Sequence, residues 1–338
     1  MPWDRVRGQD AARQALEAAF ARGRLGQAYL LVGPDGVGKR LFAKELAKSL
    51  LCESPPARLK ACDRCPACAQ VEAGTHPDLH RLRTPDGKHE LPVEEMRAFR
   101  AKLAHKPARG GRVVGIVEDA DDFNAESANS FLKTLEEPPP GAVLLLIATG
   151  TDRQLPTILS RCQVVRFHPL SPADLSVVLT ERGIDDPARR DRIARLAGGS
   201  VARALALDDE PVWAVREELV AGVTSDRPNF GRLSEVWAKF VEDAGKDTAA
   251  QRARASVVIG FLVDALRQAL RLSLDAGASG IDPAETSRLQ TFAKRLGPDR
   301  LVELIDKCVE ADSRVERRVQ LILLIESVLE QFTKPVRV

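Results

Sequence analysis

The stretch GPDGVGKR, residues 33–40, carries most of a phosphate-binding loop. The pattern G-x-x-x-x-G-K-[ST] is met at Gly33, Gly38 and Lys39, with Gly36 inside the loop. Glycines let successive backbone N–H groups turn toward a phosphate, the lysine adds charge, and the dipole of a following helix adds more. The last position calls for a Ser or Thr hydroxyl to hold magnesium. Arg40 stands there instead, with no oxygen for a metal and a positive charge of its own. Hydrolysis at such a loop also needs an Asp for magnesium and a Glu to orient the attacking water, both at the end of a buried strand. The pair present is Glu118-Asp119, the two types exchanged. The exchange displaces each carboxylate by about an ångström or more, and misplacement on that scale costs on the order of 100-fold in rate. Two blander readings stay open: a plain glycine turn for the loop, and simple capping of a strand end for the acids.

A second constellation is CESPPARLKACDRCPAC, residues 52–68. Cys62, Cys65 and Cys68 form C-x-x-C-x-x-C, and Cys52 lies shortly upstream. Four thiolates on one short segment can surround a zinc ion tetrahedrally, leaving no open position for catalysis. The prolines and charges between them cannot build a core, so a metal has to organise the segment. Buried thiols, an iron–sulfur cluster, or His76 in place of one cysteine are the alternatives. Cys162 and Cys308 stand apart as ordinary thiols. A third candidate is Arg161, in the run Ser160-Arg161-Cys162; an arginine there also suits a solvated loop or an ion pair. The basic run RAFRAKLAHKPARGGR (97–112) reads as a solvated helix face leading into a loop, with a phosphate-contacting patch as the alternative.

These residues need a scaffold, and the chain has the material for one. It has 338 residues, 44% hydrophobic and 29% charged, which suits two or three globular domains. Net charge is +2, against a stand-alone nucleic-acid binder built on a large basic face. The polar start lacks the apolar run of a signal peptide, and no stretch approaches the roughly 18–20 apolar residues of a membrane span. The expectation is a cytoplasmic protein, whose cysteines are metal ligands or thiols before disulfides. AYLLVG (28–33), RVVGIVEDA (112–120), AVLLLIATG (142–150) and QVVRF (163–167) read as strands. RLFAKELAKSLL (40–51) and the segment 124–141 read as helices, the second N-capped by Asn124 and stopped at Pro138–Pro140. Alternating strands and helices predict a mainly parallel sheet with helices on both faces, and ligands at the carboxyl ends of the strands. From 171 onward the chain reads as helical throughout. Ser171-Pro172 opens one helix, Gly198-Gly199 breaks two others, and 316–332 is apolar on more than one face.

Taken together these stretches resemble the clamp-loader branch of the AAA+ proteins. WDRVRGQ (3–9), RLGQAYLLVGPDGVGK (24–39), the four-cysteine segment, LPVEEMR (91–97), GGRVV (110–114), FLKTLEEPP (131–139), LLIATGTDRQLPTILSRC (145–162) and GGSVARAL (198–205) carry the resemblance in family order. It covers residues 1 to about 208; the C-terminal third matches only as a helical collar of suitable length. The resemblance implies an α/β P-loop AAA+ domain at 1–168 with a zinc module at about 52–68. A small helical lid at 169–208 and an all-α collar at 209–338, which holds a five-subunit ring, complete the multidomain chain.

The resemblance further implies a nucleotide site at Gly33, Gly36, Gly38, Lys39, Arg40, Glu118, Asp119 and Thr149, where ATP or ADP would bind. Motor subunits of the family carry the hydroxyl, the Asp-Glu order and a sensor arginine in the lid. Here the aligned lid residue is Ala202, with Arg203 one place on. Three departures at one site imply a vestigial loop and no ATPase turnover of its own, in a stator subunit of the DNA polymerase III holoenzyme. The intact SRC motif implies that Arg161 serves as an arginine finger in trans. Implied partners are the gamma/tau motors and the delta subunit, and through them the sliding clamp and primer-template DNA, with no membrane; the implied metal is a structural zinc on Cys52, Cys62, Cys65 and Cys68. Two rivals are a gamma/tau-type motor active in its own right and a zinc-bearing P-loop kinase or transferase acting on a small molecule.

Overall fold

The computed structural model describes residues 2–54, 59–85, 88, 90–109, 111–245, 248–276, 283–316 and 320–333. Part of the four-cysteine segment (55–58), Gly110 of the GGRVV stretch, residues 317–319 of the last apolar stretch, and parts of the expected collar therefore lie outside the described residues. The chain forms two compact units, residues 1–178 with 199–201, and residues 179–198 with 202–338.

The first unit is an α/β layer structure. Its elements are α1 (Asp10–Ala21), β1 (Ala28–Val32), α2 (Lys39–Leu51), α3 (Pro66–Ala73), β2 (Leu79–Leu82), α4 (Val93–Leu103), β3 (Val113–Val117), α5 (Ala125–Glu136), β4 (Ala142–Ala148), α6 (Pro156–Leu159) and β5 (Gln163–Arg166). The five strands lie in the order β2-β3-β4-β1-β5, and every pairing is parallel. β1, β3 and β4 are buried along their whole length, as strands covered on both faces must be. Alternate residues divide between the faces. Leu30, Val117, Leu144 and Leu146 pack with Met96, Phe99 and Leu103 of α4 and with Phe131 and Leu135 of α5. Ile116 and Ile147 face a cleft toward α2 and α3, lined also by Lys44, Val71 and Leu79.

All four expected strands are present. The fifth, β2, is absent from the sequence reading because Leu-His-Arg-Leu offers only two apolar residues, spaced three apart. It nevertheless pairs with β3 from Leu79↔Val114 to Leu82↔Val117, placing Arg81 beside the carboxyl end of β3. α5 starts as expected at Asn124. Its side chain accepts from the Ser127 N–H while the Ser127 hydroxyl accepts from the Asn124 N–H, a reciprocal cap.

The remaining helices are α7 (Pro172–Glu181), α8 (Pro187–Leu196), α9 (Val201–Ala206), α10 (Glu210–Thr224), α11 (Phe230–Glu242), α12 (Thr248–Ser273), α13 (Pro283–Leu296), α14 (Pro298–Glu316) and α15 (Leu321–Gln331). α12 is the long central helix of the second unit, with Val258, Ile259, Phe261, Leu262 and Ala269 buried. On α15, Leu324, Ile325, Val328 and Leu329 are buried while Ile322 and Leu323 are exposed, so its apolar surface does span more than one face. Arg216 of α10 forks onto Glu285 of α13 at 2.7 and 3.2 Å. Among the described residues no helix is long and apolar enough to cross a membrane.

Candidate functional site: a self-neutralised phosphate loop beside a four-cysteine cluster

The loop joins the carboxyl end of β1, an interior strand between β4 and β5, to the N-terminus of α2. Gly33 is required by close approach. A Cβ there would sit 2.4 Å from the Phe167 carbonyl oxygen, a backbone atom that cannot move aside. Gly38 is required by conformation, with φ of 97° in the left-handed region. Lys39 is buried and its ammonium is folded across the loop. It donates to the Gly33 carbonyl, to the Pro34 carbonyl at 2.7 Å and to Asp35 Oδ1 at 3.4 Å. Gln9, from the WDRVRGQ stretch, braces the outside of the loop by donating to the Val37 and His168 carbonyls at 3.3 and 2.8 Å.

Arg40 reaches the acidic pair. Its Nη2 donates to Asp119 Oδ1 at 2.8 Å, and its Nε lies 3.5 Å from Glu118 Oε2. Arg81 of β2 holds the other side of Glu118, its Nε donating to Oε1 at 2.6 Å. The Thr84 N–H donates to the remaining oxygen of Asp119 at 3.2 Å. Two guanidinium groups therefore balance two carboxylates, and both acids are engaged by cations of the chain itself. Glu118 is 9% exposed, so its partner charges count more than they would in open water. Sequence reasoning missed Arg81, because β2 itself was illegible. It missed Asp121 as well, whose carboxylate accepts from the Thr149 N–H at 2.7 Å and from Gln154 Nε2 at 2.9 Å and so fixes the end of β4. The Thr149 hydroxyl accepts from Arg153 at 3.3 Å.

Ala202 and Arg203 fall in the second unit. There Arg203 of α9 is engaged by Asp312 of α14 at 2.9 Å, and the other oxygen of Asp312 accepts from the Ser256 hydroxyl of α12.

The four cysteines converge as their spacing predicts. Their sulfurs all lie within 4.8 Å of one another, with Cys52–Cys65 and Cys62–Cys68 each at 3.9 Å. A tetrahedral zinc with bonds of about 2.3 Å requires sulfur separations of about 3.8 Å, so the four thiols fit such an ion. The backbone N–H of Arg64 holds the Cys62 thiol down to about 6, whereas burial pushes Cys52 and Cys68 up. His76 is outside the cluster, its Nδ1 accepting from the Asp78 N–H at 3.1 Å. The segment is tied to the phosphate loop by two routes. Lys48 of α2, 3% exposed, pairs with Asp63 between the cysteines at 2.8 Å and with Glu45 at 2.9 Å. Trp3 donates from Nε1 to the Leu59 carbonyl at 2.8 Å and packs at a tilt against Phe42 of α2, which meets Phe167 edge-on, each ring pair 4.9 Å apart.

Arg161 lies between α6 and β5, just before the amino end of the edge strand that pairs in parallel with β1, whereas the loop follows the carboxyl end of β1. Its guanidinium is held by Glu136 of α5, Nε donating at 2.8 Å and Nη2 to the same oxygen. Its Nη1 donates to the Thr157 carbonyl at 2.9 Å and the Ser160 hydroxyl at 3.0 Å. Arg161 and the loop thus occupy separate places on the first unit.

A family profile described as "DNA polymerase III, delta subunit" matches residues 8–171. The chain is 31% identical over 319 residues to the DNA polymerase III subunit delta' of Pseudomonas aeruginosa, covering 92% of this chain and 93% of that protein. It is also 30% identical over 313 residues to the tau subunit of Escherichia coli, covering 87% of this chain but 47% of tau. A solved structure of a gamma-subunit-related protein from Thermotoga maritima aligns over 94% of this chain and 98% of its own, at 15% identity and a TM-score of 0.42.

Proposed function

The chain belongs to the delta' family of DNA polymerase III clamp-loader subunits, and on that premise we propose that it is the ring's stator: it completes a neighbour's ATP site through Arg161 and hydrolyses no ATP at its own. The observation that carries this reading is the ion pairing of Arg40 and Arg81 with Glu118 and Asp119. In a working site those two carboxylates hold magnesium and orient water. Here they are already neutralised, the hydroxyl ligand is missing, and the lid position holds Ala202. A nucleotide arriving at the loop would find the backbone N–H groups of residues 35–38 and Lys39 to bind it, and no metal to activate its γ-phosphate.

The zinc of this reading is structural, held by Cys52, Cys62, Cys65 and Cys68; it organises the segment between α2 and α3 and supplies no reaction chemistry. The partners are the gamma/tau motors and the delta subunit in the cytoplasm, with the sliding clamp and primer-template DNA reached through the ring. The division into an α/β domain to 168, a lid to 208 and a collar beyond belongs to the same proposal. So do nucleotide contacts from Gly33, Gly36, Gly38, Lys39, Arg40, Glu118, Asp119 and Thr149.

The test is reconstitution. The purified chain should hydrolyse ATP no faster than background, and mixing it with motor and delta subunits should give a stable ring with clamp-stimulated turnover. Steady turnover by the chain alone would revive the motor reading, which the similarity to tau keeps in view. Arg40→Thr is the sharper variant. It restores the magnesium hydroxyl but leaves Glu118-Asp119 exchanged and Ala202 in the lid. Groups that act as one unit are far from additive, so turnover of the isolated Arg40→Thr chain should stay at background. A large gain from that one change would mean the acidic pair is competent.

A further inference from the structure

The strongest unassigned feature is what holds Arg161. The guanidinium has five N–H donors. Nε and Nη2 both donate to Glu136 Oε1, and the two hydrogens of Nη1 face the Thr157 carbonyl and the Ser160 hydroxyl. Four donors are therefore committed within the chain, and a planar two-donor fork cannot be offered to a phosphate from this pose. Glu136 is the last residue of α5, where the helix carbonyls add partial negative charge and strengthen the hold on a cation. The two side chains are 30% and 47% exposed, so the contact is reachable from outside and can be broken without unfolding anything.

We propose that Glu136 is the rest position of the Arg161 finger, a positioning residue that holds the guanidinium retracted until the neighbouring subunit's nucleotide draws it off. This rests on the reading of Arg161 as a finger acting in trans. The chemistry is competition between two anions for one cation. A carboxylate carries one negative charge; a triphosphate offers several, with oxygens spaced for the same fork. The transfer is therefore favourable once the neighbour's γ-phosphate is in place, and unfavourable when that site is empty or holds a diphosphate. Two stretches singled out in the sequence, LKTLEEPP and SRC, meet in this one contact. Glu136 contributes the carboxylate and Arg161 the guanidinium, and each matters to the other rather than to the fold.

The experiment compares Glu136→Gln, Glu136→Asp, Arg161→Ala and the double variant Glu136→Gln/Arg161→Ala in the reconstituted ring, reading ATP turnover with and without clamp and primed DNA. Glutamine keeps the shape and removes the charge, so the isolated variant should melt as the wild type does. An exposed ion pair is weak, which limits the expected effect to about fivefold. Within that limit Glu136→Gln should lower the apparent KM for ATP and raise turnover in the absence of clamp by the same factor, with kcat in the fully stimulated ring unchanged. Glu136→Asp should restore wild-type behaviour in part, and the double variant should match Arg161→Ala alone. If Arg161→Ala slows the ring while Glu136→Gln leaves KM and unstimulated turnover unchanged, or lowers turnover, Glu136 is no rest position and the finger reading survives. If Arg161→Ala has no effect, the finger reading fails and the rest position with it.

Discussion

On the proposed trans-acting role, a ring assembled with Arg161→Ala should lose most of its turnover at the one ATP site that this chain would complete, with clamp loading slowed to match. As the transferring phosphoryl group leaves, negative charge spreads over its oxygens and the leaving group. An arginine supplied across an interface stabilises that charge by an amount worth roughly 10³- to 10⁵-fold in well-studied GTPases. Arg161 can play this part because it sits outside the chain's own phosphate loop, at the edge of the sheet, on a run anchored by α6 and β5. Its side chain hydrogen-bonds Glu136, Thr157 and Ser160, all at exposed positions, so its removal should leave the melting temperature, metal content and ring assembly intact. Arg161→Lys should recover little, since an ammonium is a point charge without the planar fork. Turnover per site, measured with the other motor sites inactivated, separates this loss from their background.

Cys65→Ala should leave the chain without stoichiometric zinc and should loosen the phosphate loop some distance away. Cys65 opens α3 and its sulfur accepts from the Cys68 N–H, so the substitution removes both a ligand and the cap of the helix that carries another ligand. A structural zinc contributes on the order of 10 kcal/mol or more to ordering a small cysteine module. With the module unmade, Lys48 loses Asp63 and remains buried against Glu45, while the Trp3 indole loses the Leu59 carbonyl. Those losses amount to about 2–3 kcal/mol, which lowers the melting temperature of a domain of this size by about 5–10 °C. Hydrogen exchange should speed up at residues 33–42 as well as at 59–74, because Trp3, Phe42 and Phe167 form a continuous ring contact up to the carbonyl against Gly33. Faster exchange confined to the cysteine segment would show that the module is mechanically separate from the loop.

Much of this site is legible in the sequence. A strand ending in Gly33, a helix opening at Lys39 and four clustered cysteines each have a local cause, in turn conformation, helix capping or thiolate chemistry, and local causes can be read along a chain. The long apolar runs of β1, β3 and β4 announced themselves because strands buried on both faces cannot include polar residues. β2 could not be read, since a four-residue strand with His80 and Arg81 in its middle looks like any loop. With it went Arg81, whose role exists only through the parallel pairing that lays β2 beside β3. That Arg40 has no oxygen for magnesium is legible from its type alone, but its reach to Asp119, 79 residues away, is a tertiary fact. The same holds for Glu136 and Arg161. Both belonged to recognisable stretches, and nothing in either stretch says that they touch.

The central claim is that this subunit works through its neighbour's ATP site and not through its own. The most direct measurement is clamp-stimulated ATP turnover of two reconstituted rings, one carrying Lys39→Ala and the other Arg161→Ala in this chain alone. Lys39 is the lysine that reaches the phosphates in a loop of this pattern, so its removal should disable catalysis wherever such a loop is catalytic. The account predicts that the Lys39→Ala ring turns over and loads clamps as the wild type does, while the Arg161→Ala ring is slowed. The opposite pattern, turnover lost with Lys39→Ala and kept with Arg161→Ala, would contradict it and identify the chain as a motor.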